Sequence, residues 1–327
     1  MTNKIYPYVG YAKALFVGIT FAVLSACEPQ INTSFQLISQ TNTKIDRPSP
    51  RPKQHSQIWH RIRDNYDMNN ATLEEKGQVE IQKYVKKYRQ NERTLAKVSK
   101  QATPYLYYIV EELEKRNMPG ELALLPMLES AFQPNATSHR GAAGLWQFIP
   151  STGRFYGLKQ DAWYDGRRDI TASTQAALNY LEFLYEEFDQ NWTLALAAYN
   201  AGEGTVHRAI KQNLRAGKPT TFWDLKLPKE TRAYVPKFLA LAEIVNNPAK
   251  HAISLPPIDN KPYFVPVNPK TPLNFHQAAK LADIHISELK RLNPGYRQAT
   301  THPKGPQELL LPVVNAEKFE YNFAKKR

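Results

Sequence analysis

The sequence predicts a mainly α-helical protein that ends in a small mixed α+β domain. Apolar residues recur at helical spacing from about residue 57 to residue 246. Alternating patterns typical of strands are scarce before residue 260. After residue 248, prolines lead into two short strand candidates that flank two helical stretches. A chain of 327 residues can bury one sizeable core and a smaller second one.

The first 27 residues have the pattern of an export signal. Lys4 and Lys13 are the only charges before Cys27, and an uncharged apolar run extends over 14–24. This run is too short to span a bilayer and has the length of a signal-peptide core. The sequence Leu-Ser-Ala directly precedes Cys27, which resembles the lipobox of bacterial lipoproteins. The alternative is a short membrane anchor with an incidental cysteine.

The lipobox resemblance implies that residues 1–26 are a signal peptide and that Cys27 carries acyl chains, including palmitate, which hold the protein on a membrane. Glu28 favours the periplasmic face of the outer membrane in a Gram-negative host. Because Cys27 is the only cysteine, no intramolecular disulfide is possible. Residues 27–56 are polar and proline-rich, and we expect them to form an extended tether.

Several local patterns between residues 57 and 250 predict where helices begin and end. Thr103 and Pro104 read as the N-cap and first position of a helix, and Pro126 as a break in the apolar run just before Glu129. A long loop with short helices is expected over 133–169. Further helices are expected over 171–188, over 192–201 with Gly202 and Gly204 at the end, and over 230–246.

The formal net charge is +13, from 43 basic and 30 acidic residues. A basic protein of this kind suits an anionic cell wall, a membrane surface or nucleic acid. Because the sequence has no nucleic-acid motif and no dense Lys/Arg block, we do not expect nucleic acid as a partner.

Glu129 is the leading candidate for a catalytic group. It follows the apolar stretch 122–128, and burial among apolar groups raises the pKa of a carboxyl. A carboxylic acid with a raised pKa can protonate the leaving oxygen of a glycosidic bond. The alternative is a surface glutamate on an amphipathic helix.

Three blocks of sequence accompany this acid. They are Glu-Ser at 129–130, Gly-Leu-Trp-Gln at 144–147 and Ala-Tyr-Asn at 198–200. Glycines let the backbone approach a ligand, and side chains at a helix end can point into a cleft. We expect Trp146 to pack in the core.

In this order, the blocks resemble the signature motifs of the soluble-lytic-transglycosylase-like domain. The resemblance implies a lysozyme-like helical catalytic domain over 57–250, of the goose-type lysozyme and lytic transglycosylase fold. It implies non-hydrolytic cleavage of peptidoglycan to 1,6-anhydro-N-acetylmuramic acid ends, with no metal and no cofactor. It also makes Glu129 the catalytic acid and then base, with the cleft lined by Ser130, Gln147, Tyr199, Asn200 and Tyr234.

Residues 251–327 resemble a LysM-like module, a small sugar-binding fold. Strand candidates at 263–267 and 308–313 enclose helical stretches at 274–282 and 286–292. Where a LysM module usually has Gly-Asp-Thr-Leu, this chain has Lys-Thr-Pro-Leu at 270–273, so the module is degenerate.

Two other functions stay open at this point. A lysozyme-like hydrolase needs a second carboxylate to activate water, and Asp161, Asp165 and Asp169 are candidates in the long loop. An inactive peptidoglycan-binding lipoprotein would hold glycan strands without cutting them.

Overall fold

The computed structural model describes residues 55–68 and 75–326. The predicted signal peptide, the lipid site at Cys27 and nearly all of the tether lie outside the described residues. The predicted fold class is confirmed, because helices dominate and a small sheet occurs near the carboxyl terminus. In the part of the chain that is described, no helix is both long enough and apolar enough to cross a membrane.

The segment before residue 250 is a bundle of helices. The α-helices described there are α1 (Ile58–Asp64), α2 (Glu75–Gln90), α3 (Glu92–Ala102), α4 (Leu106–Lys115), α5 (Leu125–Glu129), α6 (Pro150–Phe155), α7 (Ile170–Glu187), α8 (Trp192–Ala201), α9 (Glu203–Arg215) and α10 (Lys229–Asn246).

Helix α8 lies at the centre of this bundle. Every residue from Trp192 to Ala198 is buried, and the helix packs against α7, α9 and α10. Its sequence is apolar on all sides, as expected for a helix enclosed by others. Because the body of α8 is enclosed, its last turn delivers Tyr199 and Asn200 to the edge of the core.

The predicted helix boundary at Thr103 and Pro104 is wrong. Thr103 has αR dihedral angles, and its N–H donates to the carbonyl of Lys100, so this residue ends α3. Helix α4 begins only at Leu106. The Thr-Pro pair resembles a helix start, but the backbone before it is already helical.

The predicted break near Pro126 is confirmed, since the helical backbone changes type at Leu125, directly before this proline, and Glu129 follows within one turn. Pro126 occupies the first turn of α5, where no intrahelical N–H is required. A 3₁₀ helix, Gly120–Leu124, leads into α5. Of the two glycines expected to end α8, only Gly202 does so, with φ 82°, because Gly204 lies in the first turn of α9.

The carboxyl-terminal module has the predicted order of strand, helix, helix and strand. These elements are β1 (Phe264–Val267), α11 (Phe275–Ala282), α12 (Ile286–Leu292) and β2 (Leu309–Pro312), followed by α13 (Val313–Ala324), which the sequence did not predict. The two strands are antiparallel, with Phe264 opposite Pro312 and Val267 opposite Leu309. Phe275 and Phe319 belong to a separate small core of this module.

The module packs against the long loop of the helical bundle. The N–H of Asp165 donates to the carbonyl of Gly295 at 2.8 Å, and the N–H of Arg297 donates to the carbonyl of Trp163 at 2.9 Å. The rings of Tyr164 and Tyr296 meet edge to face, 5.2 Å apart. Backbone hydrogen bonds and aromatic packing therefore fix the loop on one side.

Candidate active site

A cleft of about 830 Å³ contains most of the predicted site residues. Six parts of the chain, namely α5, the loop after it, α6, α7, α8 and α10, contribute to its lining. The predicted residues that line it are Glu129, Gln147, Tyr199, Asn200 and Tyr234.

Glu129 is held in place by an abrupt change of backbone direction. It is the last residue of α5, and the next two residues after Ser130 have positive φ, 52° at Ala131 and 56° at Phe132. Residues other than glycine rarely adopt this conformation, and it costs free energy. The side chain of Phe132 is only 1% exposed, so core packing stabilises the turn.

The carboxyl group of Glu129 has one neutral hydrogen-bond donor. The phenol of Tyr234, on α10, donates to Oε1. Burial raises the pKa of Glu129 to about 7, the hydrogen bond from Tyr234 opposes this rise, and the negative charge of Glu230 adds to it. Among the described residues, no Lys or Arg side chain pairs with this carboxyl. Glu129 can therefore both give and take a proton near neutral pH.

The loop that carries Gln147 is tightly constrained. Gln147 has φ 51°, and its Nε2 donates to the carbonyl of Gly144 at 2.8 Å. This hydrogen bond uses the amide nitrogen, so the amide oxygen can accept from a ligand in the cleft that Gln147 lines. Gly144 has φ 87°, and a Cβ atom there would lie 1.8 Å from the carbonyl oxygen of Arg167. Only glycine fits this position.

The end of α8 supplies a phenol and an amide. The hydroxyl of Tyr199 donates to the carbonyl of Trp146 at 2.8 Å, which ties α8 to the Gln147 loop. The Oδ1 atom of Asn200 accepts from Thr231 at 2.8 Å. This bond orients the amide so that its nitrogen can donate to a ligand in the cleft.

Two family models match separate parts of the chain. A family model described as the transglycosylase SLT domain matches residues 107–222. A second model, the LysM-like domain of the lytic transglycosylase MltD, matches residues 263–327. Residues 107–222 of this chain therefore form a transglycosylase SLT domain.

Two curated relatives and one solved structure illustrate the similarity. The membrane-bound lytic murein transglycosylase D of Escherichia coli strain K12 is 45% identical over 267 residues, which cover 82% of this chain and 58% of that protein. The chain thus spans a little over half the length of this relative. A putative tributyltin chloride resistance protein of Alteromonas sp. strain M-1 is 43% identical over 164 residues, 50% of this chain and 77% of that protein. An inactive mutant of the lytic transglycosylase Slt from Pseudomonas aeruginosa has a TM-score of 0.36 and 28% identity, covering 46% of this chain and 25% of that one.

Ser130 is the one predicted substrate-binding residue of the SLT domain that does not line the cleft. Its side chain is buried, and Oγ donates to the carbonyls of Leu145 at 2.9 Å and Pro126 at 3.2 Å. The hydroxyl therefore fixes α5 to the glycine-rich loop. Trp146 is fully buried, with Nε1 donating to Thr174 at 3.0 Å, so its packing role is as predicted.

The three aspartates of the long loop have structural partners outside the cleft lining. Asp161 accepts from the N–H groups of Trp163 and Tyr164. Asp165 is buried and pairs with Arg167 at 2.8 Å. Asp169 caps α7 by accepting from the N–H of Ala172 at 2.6 Å. None of these three carboxylates is positioned to activate a water molecule beside Glu129.

The cleft is also lined by four charged residues and one tyrosine that were not singled out from the sequence: Arg140, Arg154, Glu230, Lys237 and Tyr180. Helical spacing could have identified two of them, because Glu230 and Lys237 lie one turn before and after Tyr234 on α10. Nothing local marks the two arginines or Tyr180. Within the described residues, no group of three or more His, Cys, Asp or Glu side chains could hold a metal ion.

Proposed function

We propose that this protein is a peptidoglycan lytic transglycosylase, a lyase of the cell wall. It would cleave the β-1,4 bond between N-acetylmuramic acid and N-acetylglucosamine and leave a 1,6-anhydro-N-acetylmuramic acid end. The observation that carries the proposal is the carboxyl group of Glu129, partly buried in a cleft and hydrogen-bonded by the phenol of Tyr234. The SLT family match and the names of the relatives support the same reaction.

In the first step, Glu129 gives its proton to the glycosidic oxygen, and the bond between this oxygen and C1 of the muramyl residue breaks. The N-acetyl group stabilises the positive charge at C1. In the second step, the carboxylate of Glu129 takes the proton of the muramyl 6-hydroxyl, and the freed oxygen bonds to C1. The proton returns to Glu129, so no water is consumed.

The surroundings of Glu129 suit both steps. Burial raises the pKa of the carboxyl and keeps it protonated for the first step, whereas the phenol of Tyr234 stabilises the anion that forms afterwards. We assign Gln147, Tyr199 and Asn200 to substrate binding. Gln147 offers an amide oxygen, Asn200 offers an amide nitrogen, and Tyr199 holds α8 against the loop.

The two other functions are not favoured. A hydrolase of the lysozyme type needs a second carboxylate near the acid. Asp161, Asp165 and Asp169 have other partners, and Glu230, the other acid of the cleft lining, is exposed in the first turn of α10. An inactive binding protein has no use for a carboxyl group with a raised pKa, because binding alone needs no proton transfer.

The wider organisation of the chain belongs to this proposal. Residues 1–26 would be removed as a signal peptide, Cys27 would carry the lipid anchor, and 27–56 would be the tether. A catalytic domain over 57–250 and a degenerate LysM-like domain over 251–327 would then face the cell wall. The name of the Escherichia coli relative supports association with a membrane, and we propose the periplasmic face of the outer membrane.

The Glu129→Gln variant tests the proposed role of Glu129. Residues 28–327 should lose activity on purified peptidoglycan by at least about 100-fold, since general acid catalysis contributes that much or more. Circular dichroism should show an unchanged fold. The Glu320→Gln variant makes the same change at an exposed position of α13 and should keep full activity. Near-normal activity of Glu129→Gln would refute the assignment.

A further inference from the structure

One wall of the cleft is positively charged. Residues 131–160 contain no Asp or Glu, and two arginines of this segment, Arg140 and Arg154, line the cleft. Both side chains are exposed. A substrate that enters the cleft therefore passes two guanidinium groups on a wall with no carboxylate.

Among the described residues, the two arginines have no side-chain partner. Within residues 55–68 and 75–326, neither guanidinium group makes a hydrogen bond or an ion pair with another side chain or with the backbone. Arg167 behaves differently. It pairs with Asp165 at 2.8 Å and donates to the carbonyls of Gly141 and Phe148. Arg167 thus serves the fold, whereas Arg140 and Arg154 keep all their donors for a ligand.

Contacts with Arg167 show that the two arginines share one side of the cleft. The carbonyl of Gly141 accepts from Nη1 of Arg167 at 2.7 Å. A Cβ atom built on Gly153 would lie 2.9 Å from Cγ of the same arginine. Arg140 directly precedes Gly141, and Arg154 directly follows Gly153. The backbone at both arginines therefore lies beside the side chain of Arg167.

The other charges of the cleft do not cancel the positive charge of this wall. Among the described residues, the acids that line the cleft are Glu129 on α5 and Glu230 on α10, and Lys237 accompanies Glu230 on α10. Glu129 is substantially protonated near neutral pH, because burial raises its pKa to about 7. The lining therefore has a positive balance, which attracts an anionic ligand and raises its rate of encounter.

We propose that Arg140 and Arg154 form a carboxylate-binding subsite that selects the charged form of the glycan. This inference rests on the proposed function and names the part of the substrate that the cleft recognises. The sugar backbone of peptidoglycan is uncharged, so the carboxylate must belong to the peptide on the muramyl residue or to its lactyl group. Guanidinium groups bind carboxylates through paired hydrogen bonds.

The test measures binding in the Glu129→Gln background, where the probes are not consumed. Three soluble probes are compared: glycan chains with their peptides, the same chains after an amidase has removed the peptides and freed the lactyl carboxylates, and an uncharged oligomer of N-acetylglucosamine. The double change Arg140→Gln/Arg154→Gln is introduced. The control, Arg89→Gln/Arg93→Gln, removes two exposed arginines of α2 and α3 that do not line the cleft.

We expect the double variant at the cleft to raise Kd for a carboxylate-bearing glycan at least about tenfold, the loss expected for charge-assisted hydrogen bonds. Binding of the uncharged oligomer should stay within twofold, and the control should bind all probes normally. An effect confined to peptide-bearing chains would assign the subsite to the peptide. An effect on the amidase-treated chains would assign it to the lactyl group.

Two results would overturn the subsite. One is an unchanged Kd for both charged glycans. The other is an equal loss for the uncharged oligomer or for the control variant. Failure of the proposed function is distinguished by turnover: the protein with Glu129 and both arginines intact would then release no 1,6-anhydro products from peptidoglycan, whereas failure of the subsite leaves that activity in place.

Discussion

The carboxyl group of Glu129 in the cleft and the carboxyl groups of the loop over 159–169 have opposite hydrogen-bond surroundings. In the loop, Asp161 accepts two backbone N–H groups, Asp165 pairs with Arg167 and Asp169 caps a helix. In the cleft, Glu129 has only the phenol of Tyr234. The loop supplies donors that stabilise carboxylate anions, whereas the cleft supplies Glu129 with one neutral donor.

The pKa values follow from this difference. Burial acts to raise the pKa of Asp161, but hydrogen bonds from Trp163, His302 and Tyr164 outweigh it and hold the pKa below its usual range. At Glu129 burial prevails and raises the pKa to about 7. A proton donor thus arises where an acid removed from water has few hydrogen-bond donors and no paired cation. The number of acids in a region does not decide this.

The largest expected effect comes from the contact that joins the two regions. Gly144→Ala should lower the free energy of unfolding by more than about 4 kcal/mol, because its Cβ would collide with the backbone at Arg167. Gly141→Ala is the matched control, since Gly141 also has positive φ but nothing within 4 Å of a Cβ. It should cost only about 1 kcal/mol. Urea unfolding measures both, and equal losses would contradict the close approach.

The second prediction removes a donor from the loop. Arg167→Gln removes the nearer cation from the buried Asp165, leaves only Arg168 at 3.7 Å, and removes the hydrogen bonds to the carbonyls of Gly141 and Phe148. We therefore expect a loss of about 3 kcal/mol in the free energy of unfolding. Adding Asp165→Asn should restore part of this loss. If the single change proves neutral in urea unfolding, the pair does not stabilise the fold.

The third prediction concerns the acid of the cleft and depends on pH. The folded pKa of Glu129, about 7, exceeds its ordinary value of 4.5, so its contribution to stability is complete below pH 4.5 and is lost as pH rises to 7. The Glu129→Gln variant has no ionisable group at this position, so its stability does not change in this way with pH. The variant should therefore be more stable than the wild type at pH 8, by on the order of 2 kcal/mol, and equal to it at pH 4. A stability difference that does not vary with pH would contradict the raised pKa.

The smallest effect is expected from the phenol. Tyr234→Phe removes the hydrogen bond that favours the carboxylate, so the pKa of Glu129 should rise further, by about one unit. The alkaline limb of kcat/KM against pH should move upward by the same amount, since the first step needs the protonated acid. A limb that stays in place, or moves to lower pH, would show that Tyr234 does not act on Glu129.

Much of the fold could be predicted from the sequence, because long apolar patterns determine it. The apolar patterns predicted the bounds of α7, α8 and α10 nearly to the residue. They also predicted the order of strand, helix, helix and strand in the carboxyl-terminal module. The prediction at Thr103 was wrong, since its preference for a helix start is overridden by the helical backbone before it. Glu129 was recognisable from its apolar neighbours and the accompanying motifs.

Other features of the site could not be predicted, because they depend on contacts between distant segments. The bond from Tyr234 to Glu129 joins residues 105 positions apart. The orientation of Ser130 toward Leu145 depends on where the glycine-rich loop lies. Arg140 and Arg154 have no motif and become notable only once the fold shows that they line the cleft without a partner.

The most direct test of the central claim is mass spectrometry of the products from purified peptidoglycan. Residues 28–327 are incubated with the polymer, and the Glu129→Gln variant serves as the blank. A single carboxyl group that acts as acid and then base predicts muropeptides lighter by one water, with 1,6-anhydro ends and no reducing end. Products with reducing ends would contradict the account, because they require a water molecule activated by a second group.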